Sequence, residues 1–517
     1  MIEQNSYDEI PYPELAFQRT HPNRTAVLAS VFGLAPPAPG KARILELGCA
    51  SGSNLLPMAE QLPEAEFLGL DLSVKQIEAG EALRQAAGIK NVTLRQANVL
   101  DIDASLGKFD YIIAHGLFSW VPELVQKKIL SVCRENLSPN GVAYVSYNVN
   151  PGWYFRKGLR DMMLYHVAGF PEPRMRIQQA RALLDFLATQ SNAGPYTDML
   201  KAEAALLSKQ PDNYLYHEFL EQHNNPVHFH EFVAHARTTG LSYLGDTQLS
   251  LMTSEFLKPE VAEVLGRISG RDVVRTGQYV DFLSNRAFRE SLLVHGEQKI
   301  QRRLDWQPIR NFWISSELKP EDPAFDPASS EPATFVSPTT IQIRLKDPLP
   351  IMALAILMEN APQPMAFSQL LEGARARLNS KRPVGQDETE LGEYLLEAYG
   401  VGVIDIIAHP WPCSASIAKR PRTSPLARLQ AMAGQTVVNL RHQRHENLSA
   451  DHRSLIELLD GERTVEEAID ILFQRIDLQK LPEEAKAQAN NPARLRQMFT
   501  DSMHQTIAEL RNMGLLL

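Results

Sequence analysis

The run from Ala42 to Asp71 constrains this chain more than any other, because it reads as strand, glycine-rich turn, helix and strand in immediate succession. Arg43-Ile44-Leu45-Glu46-Leu47 is a short apolar run of the kind that forms a buried parallel strand, and Gly48-Cys49-Ala50-Ser51-Gly52 follows without a spacer. Asn54 to Leu62 then reads as a helix, and Glu66 to Leu70 as a second strand ending in Asp71. Gly48 and Gly52 let the backbone come close to a ligand, while the helix they open offers unpaired N–H groups and a positive dipole end. A carboxylate at the tip of the second strand accepts hydrogen bonds from two vicinal hydroxyls. Together these features describe a nucleoside held by its ribose beside a tight turn.

A phosphate-binding version fits less well. Ala50 stands where the dinucleotide fingerprint needs its second glycine, the third is displaced, and Glu46 sets a negative charge just before the turn. Glu46 would repel a pyrophosphate but draw in an ammonium. Glu46-Leu47-Gly48-Cys49-Ala50-Ser51-Gly52 with Asp71 resembles the signature of class I S-adenosylmethionine-dependent methyltransferases. In that family the first acidic residue and the glycine turn contact the methionine part, and the acidic residue after the second strand binds the ribose. The resemblance implies S-adenosylmethionine contacts at Glu46, Gly48, Cys49, Gly52, Asn54, Asp71, Leu72, Asn98, Val99 and His115. Asn98 stands where the family often carries an acid facing the adenine amino group, so any such bond here goes through an uncharged carbonyl.

With 517 residues, 44% of them hydrophobic, the chain can bury two or three cores. Its three cysteines, Cys49, Cys133 and Cys413, form neither a metal spacing nor a disulfide framework, which favours a cytoplasmic protein without a resident metal. No secretory leader or long uncharged apolar run is evident, so no membrane span is expected. The net charge of −9 argues against nucleic acid as the main partner and suits a basic protein segment.

Ahead of the core, Tyr7 to Pro13 and Phe17 to Pro22 interleave aromatics and prolines, as in an extended segment lying over a site; Tyr12 or His21 would then approach the sulfonium or the acceptor. Packing against the first helix is the other reading. Phe109 to Ala114 is expected as the fourth strand, running into His115 at the strand's carboxyl end, where ligands of open α/β sheets bind. Gly141 to Ser146 is the fifth strand. Tyr147-Asn148-Val149-Asn150-Pro151-Gly152-Trp153-Tyr154 follows as a loop rich in aromatics and amides, suited to aligning and desolvating a nucleophile. The candidate catalytic residues are Tyr147, Asn148, His115, Trp153 and Tyr12. Arg156, Lys157 and Arg160 keep a carboxylate acceptor open. Five histidines, His217, His223, His228, His230 and His235, lack a chelating spacing and read as interface or lid rather than metal site.

The expected organisation is a core over 1–317, with a helical insertion at about 150–225 and a segment over 214–295 that resembles the methyltransferase regulatory domain of bacterial proteins. A linker at 318–338 rich in Pro, Ser, Asp and Ala follows, then a winged-helix-like module at 339–420 and a C-terminal helical module at 421–517. The fold class is α/β, a Rossmann-like seven-stranded class I methyltransferase core followed by two small, mainly helical winged-helix-like modules. In layout the chain resembles the bacterial group that includes the rickettsial protein lysine methyltransferases. That resemblance implies methyl transfer from S-adenosylmethionine to a protein side chain, with lysine nitrogen as the expected acceptor. A small-molecule or carboxyl O-methyltransferase, a non-catalytic nucleoside-binding scaffold, and a homodimer stay open.

Overall fold

Residues 10, 15–252, 257–475 and 491–517 are described by a computed structural model of the chain. Seven strands form one mixed sheet in the order β3-β2-β1-β4-β5-β7-β6. They are β1 Arg43–Leu47, β2 Glu66–Asp71, β3 Val92–Gln96, β4 Phe109–Ala114, β5 Leu137–Asn148, β6 Leu241–Asp246 and β7 Phe288–His295. The first five pair in parallel, and β7 runs antiparallel between β5 and β6. The expected class I core is therefore present.

Strand side chains alternate between two hydrophobic layers. Ile44, Tyr111, Ile113, Val142, Tyr144 and Leu292 face one layer, where α1 Pro22–Val31, α2 Leu55–Gln61 and α3 Val74–Ala86 pack. Leu45, Ile112, Ala143, Val145, Tyr147 and Leu293 face the other, covered by α4 Glu123–Asn136 and α9 Phe229–Thr238. Between β5 and α9 lie α5 Gly152–Val167, α6 Pro173–Gln190, α7 Pro195–Leu207 and α8 Asp212–Phe219. Leu159, Met163, Leu184, Leu200 and Leu215 give this insertion a small core of its own. Two further helices, α10 Pro259–Ser269 and α11 Val273–Ser284, precede β7.

Two details differ from the sequence expectations. The fifth strand runs on through Asn148, so Tyr147 and Asn148 are strand residues, and Trp153 and Tyr154 lie in the first turn of α5 rather than in a loop. The stretch expected as a linker contains β9 Lys319–Pro320 and β10 Ala333–Val336, which pair with each other and with β11 Gln342–Leu345 around the fully buried Phe335. Just before it, β8 Trp313–Ser316 pairs with β12 Met365–Ala366 and β13 Ile404–Ile407. With α12 Pro348–Asn360, α13 Phe367–Arg377 and α14 Val384–Gly400 this makes a winged-helix-like unit. The last unit comprises α15 Pro425–Met432, the hairpin β14 Val437–Val438 with β15 Arg444–His445, α16 Ala450–Leu458, α17 Val465–Gln474 and α18 Pro492–Asn512. One apolar cluster continues from the sheet into α12, α13 and α14. Among the described residues, no helix is long and apolar enough to cross a membrane.

Candidate active site

The glycine turn takes its shape from three left-handed residues, Gly48 (φ 71°), Ala50 (φ 48°) and Gly52 (φ 73°). The N–H groups of Gly48 and Cys49 both bond the Leu70 carbonyl, which pins the turn to the end of β2. From above, α3 comes so close that a Cβ on Gly80 would lie 2.3 Å from the Ser51 carbonyl oxygen. Asp71 closes the loop: its Oδ2 accepts from the Ala50 N–H at 2.8 Å and its Oδ1 from the Ser73 N–H at 2.8 Å. A carboxylate can accept several hydrogen bonds, which is what a ribose diol asks for.

Glu46 is 3% exposed. Its Oε1 accepts from Asn54 Nδ2 at 2.7 Å, and its Oε2 has no hydrogen-bond partner among the described residues. Burial raises its pKa to about 8, Asp71 adds to the rise, and the Asn54 bond opposes it. A buried carboxylate with one unsatisfied oxygen beside a bare glycine turn is complementary to an ammonium group. The site therefore fits the amino-acid end of S-adenosylmethionine, with Glu46 beside the Gly48–Cys49 turn to take its ammonium. Asp71 fits the ribose, and Leu72, 56% exposed after β2, and half-buried Val99, in the turn after the neighbouring β3, offer apolar surface. Asn98 is exposed, and its side-chain carbonyl accepts from the Leu100 N–H at 3.0 Å. Asn54 differs from its expected role, because its amide is spent within the protein. Oδ1 accepts from the Phe17 N–H at 2.9 Å, and Nδ2 also donates to Thr20 Oγ1 at 3.0 Å.

His115 directly follows β4, the parallel neighbour of β1. Its Nδ1 lies 2.8 Å from the Tyr144 hydroxyl, and that hydroxyl donates to Glu290 Oε1 at 2.9 Å. Arg19 Nη1 at 3.0 Å and Thr247 Oγ1 at 2.9 Å donate to Glu290 Oε2. The hydroxyl gives its one proton to the carboxylate, so Nδ1 of His115 must carry the hydrogen and Nε2 is left with a lone pair. Burial lowers the His115 pKa to about 4 against a smaller opposing pull from Glu290, so the ring is neutral near pH 7. Phe17 covers the imidazole with ring centroids 3.8 Å apart, and Phe288 stands edge-on at 6.1 Å.

The other expected catalytic residues go elsewhere. Tyr147 is 1% exposed, stacks on Phe232 at 3.8 Å and bonds Ser291 Oγ at 2.8 Å. It follows Ser146 by one residue and so faces the opposite layer, which assigns it to packing. Asn148 ties β5 to the segment after α8, its Nδ2 donating to Asn224 Oδ1 at 3.1 Å. Trp153 is buried between Trp120 and Phe219. Tyr12 lies outside the described residues, whereas Phe17 to Thr20 of the same leading segment do lie over the site. His21 caps α1 by accepting from the Asn23 N–H and bonds Gln61, away from His115. Of the histidine series, His217 bonds Glu221 and the Ile10 carbonyl, His228 bonds Tyr154, and His230 bonds Gln278. Tyr144 and Glu290 were missed by sequence reasoning. Alternation was the available signal for Tyr144, since an end-of-strand His115 has its neighbours at every second residue of the next strand.

The chain matches the family models "Methyltransferase domain" over 40–184, "Predicted methyltransferase regulatory domain" over 211–295 and "PKMT, C-terminal winged helix domain" over 419–515. An uncharacterized protein of Rickettsia prowazekii is 38% identical over 452 residues, covering 86% of this chain and 81% of that protein. The solved structure of PKMT2 from Rickettsia typhi superposes with a TM-score of 0.86 at 31% identity, covering 98% of this chain and 100% of that one. The same enzyme in complex with AdoHcy gives a TM-score of 0.85 over the same coverage. The chain is thus an S-adenosylmethionine-dependent methyltransferase with a regulatory-type segment, and it belongs to the rickettsial-type protein lysine methyltransferase family.

Proposed function

We propose that this protein methylates lysine side chains of protein substrates, and that the acceptor nitrogen is received beside His115. The observation that carries the reading is the chain Glu290, Tyr144, His115, which presents an unprotonated imidazole nitrogen under two aromatic rings at the carboxyl end of β4. Bound S-adenosylmethionine supplies an electrophilic methyl group. The protein has to bring a lysine nitrogen up neutral and aligned, although a free lysine amine has a pKa of about 10.4. Phe17 and Phe288 offer ring surface to the cationic stem and exclude water, which favours the neutral amine. His115 Nε2 accepts a hydrogen bond from an amine N–H and so turns the nitrogen lone pair outward. The Tyr144 and Glu290 partners keep the ring in that tautomer.

Both arginines that could clamp a carboxylate acceptor at the start of the insertion are engaged within the protein. Arg156 pairs with Glu203 at 3.0 Å, and Arg160, 6% exposed, donates to the Glu221 carbonyl. A cytoplasmic setting belongs to the same proposal, supported by three buried, unpaired cysteines. A protein rather than a nucleic-acid partner is supported by the net charge of −9.

Transfer of label from methyl-labelled S-adenosylmethionine in a cell extract tests the acceptor. Label recovered as methyl-lysine after hydrolysis of the protein fraction is the expected result, and label confined to small molecules overturns it. At the site, Tyr144→Phe should lower kcat by on the order of 10- to 100-fold with cofactor affinity nearly unchanged. A wild-type rate in that variant would remove the imidazole chain from the mechanism.

A further inference from the structure

The C-terminal winged-helix domain reaches the side chains that surround Glu46. Its β14–β15 hairpin turn puts His442 in a left-handed conformation (φ 60°) with no exposed surface. His442 Nε2 lies 3.0 Å from Asn54 Oδ1, the amide whose nitrogen holds Glu46. The direction of these bonds is fixed. The Phe17 N–H can only donate, so the Asn54 oxygen faces Phe17 and His442, its nitrogen faces Glu46, and Nε2 must carry the hydrogen. His442 Nδ1 has no partner among the described residues, and burial, with Arg24 nearby, lowers the ring's pKa to about 3, so it sits there neutral.

The grip is repeated along α2, the helix that opens just behind Gly52. Gln61 Nε2 donates to the Asn439 carbonyl at 3.0 Å, and the Leu426 N–H donates to Glu60 Oε1 at 2.9 Å. The turn itself is firmly held within its own domain. Asn439 Oδ1 accepts from the N–H groups of Arg441 and Gln443, and the Leu440 N–H bonds the Gly514 carbonyl. Both ends of α2 are thus tied to one rigid hairpin and its neighbours.

We propose that the C-terminal domain is a working part of the cofactor site: His442 acts as a positioning residue that holds the Asn54 amide, Asn54 aims Glu46, and cofactor binding is thereby coupled to the seating of the domain on the core. This rests on reading Glu46 as the group that takes the cofactor's ammonium. Coupling between two sites is reciprocal. A domain that improves cofactor affinity by being seated is itself seated more firmly when the cofactor is bound.

Calorimetry with S-adenosylmethionine on the full chain and its variants tests the idea. His442→Leu removes the donor and should weaken binding by about tenfold, the effect of losing one buried hydrogen bond. His442→Gln can place an amide N–H where Nε2 stands and should restore affinity to within about twofold. A purely structural role would lower the Tm of both variants without separating them in affinity. Glu46→Gln is the control for the underlying reading: unchanged affinity there would refute the ammonium site itself. Weakened binding in Glu46→Gln with wild-type binding in a folded His442→Leu would overturn the coupling alone. Should His442→Leu fail to fold, hydrogen exchange on the unmodified protein decides. Cofactor should slow exchange of the Leu440, His442 and Gln443 amides, and unchanged rates would overturn the proposal.

Discussion

Glu46 carries a pH dependence whose sign can be worked out. Its pKa is about 8 in the folded protein against an ordinary value of 4.5, with burial as the main cause and Asp71 adding to it. Below pH 4.5 the group is protonated whether the chain is folded or not, and its environment costs nothing. Between there and about pH 8 the folded chain holds a proton that the unfolded chain has lost, so this contribution to stability falls as pH rises. An ammonium bound against Oε2 reverses the balance. Cofactor binding near neutral pH should therefore release a proton, visible in calorimetry as a heat that varies with the ionisation enthalpy of the buffer. Affinity should climb with pH and level off near 8, and Glu46→Gln should flatten that climb. Cys49 and Asp71 are the titratable neighbours, and burial keeps the Cys49 thiol protonated throughout. The presence of Glu46 was legible in the sequence because a charge inside an apolar run stands out. Its dependence on Asn54 was not, since nothing in the letters between 46 and 54 says which way an amide will point.

At the level of elements, the contact between α3 and the glycine turn decides how much space the cofactor pocket has. Gly80 lies inside a helix, where alanine would ordinarily gain about 1 kcal/mol. Here the added methyl would meet the Ser51 carbonyl oxygen at 2.3 Å and Leu94 Cδ1 at 2.6 Å, and backbone cannot step aside as a side chain can. Overpacking of this kind costs about 1–3 kcal/mol, so Gly80→Ala should lower the melting temperature despite its better helix propensity. It should also weaken cofactor binding, because the turn is what must move. The core strands and helices were readable because short buried runs and strongly periodic helices announce themselves locally. Trp313–Ser316 was not, since its partner strand lies at Ile404–Ile407 and only tertiary pairing makes it a strand. Composition misled over 318–338: the prolines and serines are there, yet Phe335 is completely buried and anchors a four-residue strand between them. Tyr147 was misread by one step of strand alternation, which a loop assignment erases.

On the scale of the whole molecule, the methyltransferase core shares an apolar layer with the unit that follows it. Ile309 and Ile314 belong to the same apolar cluster as Ile44 and Tyr144, and that cluster runs on through Leu354, Leu370 and Leu395. A shortened chain ending at residue 317 should expose this layer. Dye binding to apolar surface and rapid proteolysis are expected, and a soluble, cofactor-binding fragment with a single cooperative melting transition would contradict the shared core. The leading segment is clasped in the same way. Arg24 pairs with Asp405 at 2.7 Å, and the Asn23 side chain bonds the His409 carbonyl at 2.8 Å.

The contact between Asn54 and His442 joins residues 388 positions apart. During synthesis at about 5–20 residues per second, the glycine turn leaves the ribosome on the order of a minute before the hairpin that completes its surroundings. A growing chain thus carries the motif for methyl transfer long before it carries the finished pocket. By the coupling proposed above, a chain released before that hairpin is made binds the cofactor more weakly than the finished one, however well its first half has folded.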